Sequence, residues 1–300
     1  MHPATSFSRP GTIDFQESPD GFTRFRVRSP LFEAEFATQG AHLLRFSAAD
    51  GHPLLFLSAH TSLTPGKAIR GGIPVIFPWF GPREGDTGSP MHGLVRTRPW
   101  EIESIQVAPD GTGKVVFSLA SSPETIQIWP HPFHLRMTFT LGQSLEIDWE
   151  VHNTGPAPFR FEQALHPYFS VRDVFSTSVT GLEGSHYLDK ADGLRWKQDQ
   201  RDSVEFRGET DRLYVDTTGA CVLRDVAAGR ELRITKEHSA SSVVWNPWSA
   251  KAASLADLGN EEWREFVCVE QANANRNAVE LPSGKTHFFH VRYASQSVSN

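Results

Sequence analysis

Phe22-Thr-Arg-Phe-Arg-Val-Arg28 and Leu31-Phe-Glu-Ala-Glu-Phe36 alternate apolar and polar side chains over most of their length. Successive side chains of a strand point to opposite faces, so this rhythm marks two half-buried β-strands. Gly40 separates the second from Ala41-His-Leu-Leu-Arg-Phe46, a third strand, and Asp50-Gly51 supplies a turn. Further on, strands are expected at 100–107, 114–120, 125–129, 134–141 and 144–152, with turns at Asp110-Gly111 and Leu141-Gly142. Another set is expected at 175–181, 203–207, 213–216, 220–225, 231–236, 243–248, 266–270, 278–281 and 287–293. Only 254–266 (SLADLGNEEWREF) reads as containing a short helix. Many short strands, little helix and no linker or fixed-period repeat imply an all-β fold, one antiparallel β-sandwich over 1–300. Residues 1–11, polar and Pro-containing, read as a loose arm.

Bulk properties narrow the function. The chain has 39% hydrophobic and 21% charged residues, a globular rather than a disordered composition. A formal net charge of −6 gives no overall attraction to nucleic acid or to an anionic membrane surface. No apolar run approaches the roughly 18 residues of a spanning helix, and the first residues lack a basic region followed by an apolar one, so no signal peptide is apparent. Cys221 and Cys268 are too few for a disulfide framework and fit a reducing compartment. Cytoplasm is the expected location and a monomer the expected state.

The segment 162–171 (EQALHPYFSV) sets His166 among Leu165, Tyr168 and Phe169, where an imidazole could be half-buried and held in one orientation. With an ordinary pKa near 6.5, histidine exchanges protons at physiological pH. A core histidine satisfied by a backbone carbonyl would look the same. What distinguishes the two is 266–271 (FVCVEQ), where Glu270 interrupts a hydrophobic run. A carboxylate there is costly unless paired or chemically employed. His166 and Glu270 therefore read as an acid–base pair assembled by the fold.

Between 52 and 99 the chain is too rich in Gly and Pro for a long helix or a central strand, yet too aromatic for disorder. His92 beside Gly93 points to a close backbone approach. Over 67–100, five basic residues stand against two acidic ones, with Arg70 and Arg96 bracketing the loop. Guanidinium groups suit phosphate or carboxylate, although ordinary surface charge explains the excess equally well. No cysteine pairs, HExxH helix, nucleotide-binding glycine fingerprint or G-x-S-x-G elbow is present. His131 and His134 face opposite sides if both lie on one strand, and read as structural. No metal or other cofactor is expected.

Taken together, R70-G-G-I-P-V-I-F-P-W-F-G81, H92-G-L-V-R-T97, L165-H-P-Y-F169, E209-T-D-R-L-Y214, V244-W-N-P-W248 and C268-V-E270 resemble the aldose 1-epimerase (galactose mutarotase-like) superfamily. Within it, the resemblance is to the glucose-6-phosphate 1-epimerases, or hexose-6-phosphate mutarotases. It implies a β-supersandwich with a few short helices and a sugar cleft on one sheet. It also implies His166 as general acid, Glu270 as general base, His92 as a second histidine that binds the sugar and Asp211 as a ligand of its hydroxyls. Arg70 and Arg96 would line the site and hold a 6-phosphate, so the expected partner is a hexose 6-phosphate. A mutarotase of unphosphorylated aldoses, or a sugar-binding domain without catalysis, are the alternatives. Three positions depart from the family pattern. Gln271-Ala272 stands where Pro-Gly is usual, so the loop after the base is expected to run differently. Ser170 stands where many relatives carry a basic residue, and Leu94-Val95 replaces Phe-Ala, a packing change.

Overall fold

The computed structural model describes residues 6–86 and 88–297, and it is the antiparallel β-supersandwich that the alternation and the resemblance imply. A four-stranded meander opens the chain, formed by Ile13–Glu17, Thr23–Ser29, Phe32–Ala37 and His42–Ala48. A nine-stranded sheet follows a continuous antiparallel path. Its centre is Arg230–Glu237, Thr286–Ser297, Leu145–Asn153, Phe133–Leu141 and Gly113–Ala120. The third sheet contains Val75–Ile76, Gln163–Leu165, Tyr168–Ser170, Phe266–Asn273, Ser241–Asn246, Thr210–Val215, His186–Asp189 and Arg195–Gln198. Phe159–Phe161 and Val279–Leu281 form a separate two-stranded ribbon.

The inner faces of the two large sheets share one core. Tyr293 of the nine-stranded sheet packs edge-on against Phe169 at 5.2 Å, and its hydroxyl donates to Gln271 Oε1 at 2.5 Å. The meander closes one end through Phe36, which meets Phe139 at 5.1 Å and Phe117 at 5.8 Å. Leu94 and Val95 are buried in the same core, consistent with the packing change expected there.

Three expectations need correcting. Residues 125–129, read as a strand, belong to the helix Pro123–Ile128. Ser122 caps it by accepting from the Thr125 backbone N–H, and Pro123 occupies its first turn, where no N–H is needed. The strand expected to reach 248 stops at Asn246. After Pro247 the chain makes a single helical turn, Trp248–Ala252, which the sequence did not suggest. The helix expected within 254–266 shrinks to one 3-10 turn, Glu262–Arg264. Of the arm expected at 1–11, residues 1–5 lie outside the described residues. From there Phe7 packs against the core and Arg9 bridges Ile13.

Candidate active site

The strand Phe266–Asn273 is buried along its whole length and is the axis of the site. On one side it pairs with two short strands in succession, with Leu165 opposite Gln271 and Tyr168 opposite Cys268. Both short strands keep one register, and the gap between them is His166-Pro167. Proline has no N–H to give the ladder. His166 turns its own N–H to the Pro74 carbonyl at 3.0 Å. Continued across the gap, the register sets His166 directly opposite Glu270. Their side chains meet, His166 Nε2 lying 3.2 Å from Glu270 Oε1. On the other side of the axis, Val243 faces Glu270 and Trp245 faces Cys268, and Asp211 on the next strand faces Trp245. The Lys190 N–H donates to the Asp211 carbonyl at 2.8 Å, extending that row to the sheet's edge hairpin. Cross-strand partners share a face. One face of the sheet thus forms the floor of a cleft of about 370 Å³.

The glycine-rich segment forms a wall. Gly93 has φ 78°, and a Cβ there would lie 1.9 Å from the Phe77 carbonyl oxygen, so the backbones touch as only glycine allows. This is the close approach that His92-Gly93 suggested. The Gly81 N–H donates to His92 Nδ1 at 3.2 Å, while the His92 N–H returns to the Gly81 carbonyl at 2.8 Å. Nδ1 is therefore the acceptor, and Nε2 carries the hydrogen. The His92 ring stands 6.0 Å from that of His166 and 5.1 Å from Phe80.

The two arginines expected in the site are both present, with different duties. Arg70 turns Nε and Nη2 to Asp257 at 3.2 and 3.1 Å and donates from Nη1 to the Tyr168 hydroxyl at 3.0 Å. The Tyr168 ring lies nearly parallel to His166, 14° apart with centroids at 5.0 Å. Arg70 thus holds the tyrosine on which the imidazole rests. Arg96 donates to the Met91 carbonyl at 2.8 Å and makes no ion pair among the described residues. His166, Glu270, Arg70, His92, Arg96 and Asp211 all line the one cleft, and the sequence reading missed Lys190, Lys251 and Asp257 beside them.

The family model for aldose 1-epimerase matches residues 24–294. The chain belongs to the aldose 1-epimerase family. An Escherichia coli (strain K12) protein provisionally named glucose-6-phosphate 1-epimerase is 38% identical over 250 residues, covering 83% of this chain and 82% of that one. The crystal structure of a provisionally assigned mutarotase, YeaD, from Salmonella typhimurium is 30% identical and superposes with a TM-score of 0.90. The match covers 97% of this chain and 95% of that one. Galactose 1-epimerase from Lactobacillus acidophilus NCFM shares the fold, with a TM-score of 0.74 at 11% identity and coverage of 96% and 99%.

In this epimerase, an isomerase by family, burial governs the central pair. It lowers His166 to about 3, with the nearby Arg70 guanidinium adding to the shift, far from the ordinary value expected from sequence. Burial also pushes Glu270 well above the usual carboxylate range. Neither group tolerates charge alone, and their contact lets one proton serve both. Among the described residues His166 Nδ1 and Glu270 Oε2 have no hydrogen-bond partner, which leaves both groups hydrogen-bonding capacity. Burial and Arg96 keep His92 neutral, so its Nε2–H is a donor without a charge. Burial raises Asp211, and Lys190 opposes the rise.

After Glu270 the chain makes no new loop, because the strand runs on to Asn273 with Gln271 buried and bonded to Tyr293. At the Ser170 position the carbonyl accepts from Arg230 Nη2. His131 packs against Trp129 with the rings tilted at 60° and centroids 4.6 Å apart, and it does not line the cleft. Among the described residues no cluster has the makings of a metal site.

Proposed function

We propose that the enzyme interconverts the α and β anomers of hexose 6-phosphates, with Glu270 accepting the anomeric hydroxyl proton and His166 protonating the ring oxygen. The 3.2 Å contact between His166 Nε2 and Glu270 Oε1 on the cleft floor carries this reading. The anomeric and ring oxygens are bonded to the same carbon, so the groups that serve them must also be neighbours. Adjacency on the cleft floor fits that chemistry.

The protons balance within the pair. In the reactive form Glu270 is a carboxylate and His166 an imidazolium, which together hold one proton and no net charge. Glu270 takes the hydroxyl proton, the C1–ring oxygen bond breaks as C1 becomes an aldehyde, and His166 gives its proton to the departing oxygen. Rotation about C1–C2 and the reverse transfers close the other anomer. Each positioned transfer contributes on the order of 10²–10⁴ in rate. Holding both groups on one rigid ladder contributes further through orientation.

Substrate orientation follows. C6 hangs from the carbon next to the ring oxygen, so a 6-phosphate falls on the His166 side. The strongest charges acting on His166 there are Arg70 and Arg96. Arg96, paired with no carboxylate among the described residues, is the anchor we assign to the phosphate, with Arg70 adding positive field. His92 Nε2–H and Asp211 are left for the ring hydroxyls. The provisional name of the Escherichia coli relative supports the phosphorylated substrate. One observation favours an unphosphorylated aldose instead: Asp257 already occupies the bidentate edge of Arg70. We take the enzyme to act in the cytoplasm, where its two free, buried cysteines are at home, and as a monomer, since one chain supplies the whole cleft.

Anomer exchange measured by NMR on glucose 6-phosphate, galactose 6-phosphate and free glucose decides between the substrates. Glu270→Gln should abolish exchange on every one of them with the fold intact. Near-full activity in that variant sinks the assignment of the base, and exchange on free glucose alone sinks the phosphate.

A further inference from the structure

Four cations line the cleft; two are paired with carboxylates, and a third, Arg96, is the one assigned above to the phosphate. Arg70 is bound to Asp257 and Tyr168, Lys251 pairs with Glu209 at 2.6 Å, and Arg96 donates to the Met91 carbonyl. Lys190 is the exception. It makes no ion pair among the described residues, although its backbone lies in register beside Asp211. Its ammonium instead sits over the Phe80 ring, 4.4 Å from the centroid. A half-buried lysine held on an aromatic face, facing a cleft that contains a buried carboxylate, has a fixed place and no assigned partner.

We propose that Lys190 is a positioning residue for charge: from its seat on Phe80 it supplies a positive field that opposes the effect of burial and favours the ionised form of Glu270 beside His166. The inference rests on Glu270 being the base. Of the other groups around Glu270, Arg70 is already paired with Asp257, and the rest cannot supply positive charge. Asp211 adds like charge. Cys268 and Tyr168, on the same face, are held neutral by burial. Tyr293 reaches up from the sheet behind, but its hydroxyl donates to Gln271. His166 shares its proton with Glu270, so the two together present no net charge. Lys190 heads the charges that act on Glu270 and on Asp211 alike.

The test is the pH dependence of kcat/KM for anomer exchange in wild type, Lys190→Met and Lys190→Arg. Removing a positive charge raises the proton affinity of both members of the pair. Both limbs of the profile should therefore move to higher pH by about one unit. On the acid side of the wild-type optimum the Met variant loses about tenfold, and it recovers as pH rises. Lys190→Arg should track the wild-type profile. Phe80→Leu keeps the charge but removes its seat, and should shift the limbs the same way by less. A uniform loss at every pH, with limbs unmoved in both Lys190→Met and Phe80→Leu, overturns the proposal in favour of a purely structural or binding role. If wild type itself shows no exchange, the function proposed above fails and not this inference alone.

Discussion

The two large sheets of this epimerase differ in the way that matters for function. In the nine-stranded sheet, strands such as Phe133–Leu141 and Leu145–Asn153 alternate buried and more exposed positions along most of their length. Their outer face carries ion pairs such as Arg136–Glu103 and Arg292–Glu146. Exposed pairs of this kind contribute little, on the order of 0–1 kcal/mol each, so the sheet rests on its apolar inner face. At its centre the site sheet buries both faces. Phe266–Asn273 and Ser241–Asn246 have no exposed position, and they include Glu270, Gln271, Asn273, Ser241, Ser242 and Asn246. One sheet spends its sequence on stability; the other keeps polar groups where water is excluded, which stability alone would not select.

The contrast can be broken from the site side first. His166→Asn removes the proton donor but retains an amide that can hydrogen-bond Glu270. Anomer exchange should fall about 10²–10⁴-fold, while the urea midpoint stays close to wild type. A large stability loss with little loss of activity would reverse the roles of the two sheets. From the other side, Phe139→Ala empties a fully buried position between the nine-stranded sheet and the meander. It should cost about 3–5 kcal/mol of unfolding free energy. The molecules that remain folded should keep kcat within about twofold, because Phe139 and the rings it packs against, Phe36 and Phe117, do not line the cleft. Chemical denaturation together with active-site-normalised kinetics checks both.

A finer test uses pH. His42 lies under the Gly71-Gly72 turn beside Arg70, fully buried, with Nε2 2.8 Å from the Gly71 carbonyl. Burial depresses it to about 4. The unfolded chain, with a histidine near 6.5, binds the extra proton first as pH falls. Stability from this group is therefore complete above pH 6.5 and declines between about 6.5 and 4, by about 2–3 kcal/mol over that window. His42→Gln can keep the hydrogen bond but does not titrate, so its stability should fall less across the same window. An unchanged slope in urea denaturation at a series of pH values would remove His42 as a source of acid sensitivity.

What could be read from the sequence follows the same division. In the nine-stranded sheet a two-residue period survives because one face meets water. The strands expected at 134–141, 144–152 and 231–236 lie within a residue of those observed at each end. In the site sheet the period vanishes, and Gln163–Leu165 and Tyr168–Ser170 are too short to display one. Glu270 was still legible, since a carboxylate inside an apolar run demands an explanation. That His166 stands opposite it was not, because the shared register of two three-residue strands depends on pairing with a segment about a hundred residues away. Arg70 and Arg96 looked equivalent along the chain. Only Asp257, 187 residues beyond Arg70, separates them. Lys190 belongs to no motif, and its meaning comes entirely from the ring beneath it.

The smallest effect expected here sits where a local signal was misread. Thr125-Ile-Gln-Ile-Trp129 alternates like a strand, yet Ser122 and Pro123 in front of it are helix-start residues, and the helix forms. Ser122 and Thr125 exchange hydrogen bonds as a capping box, the Ser122 N–H donating to Thr125 Oγ1 at 2.8 Å. If that cap decides between helix and strand, Ser122→Ala should cost about 1 kcal/mol of stability, and Ser122→Asp should restore most of it, because a carboxylate accepts the same bond at the positive end of the helix. A residue preceding a strand would show neither the loss nor the recovery. Anomer exchange should be unaffected in both variants, since neither Ser122 nor Thr125 lines the cleft. Equal stability of all three proteins in urea would mean that packing against the core, with Thr125 buried, holds this turn helical and the cap is incidental.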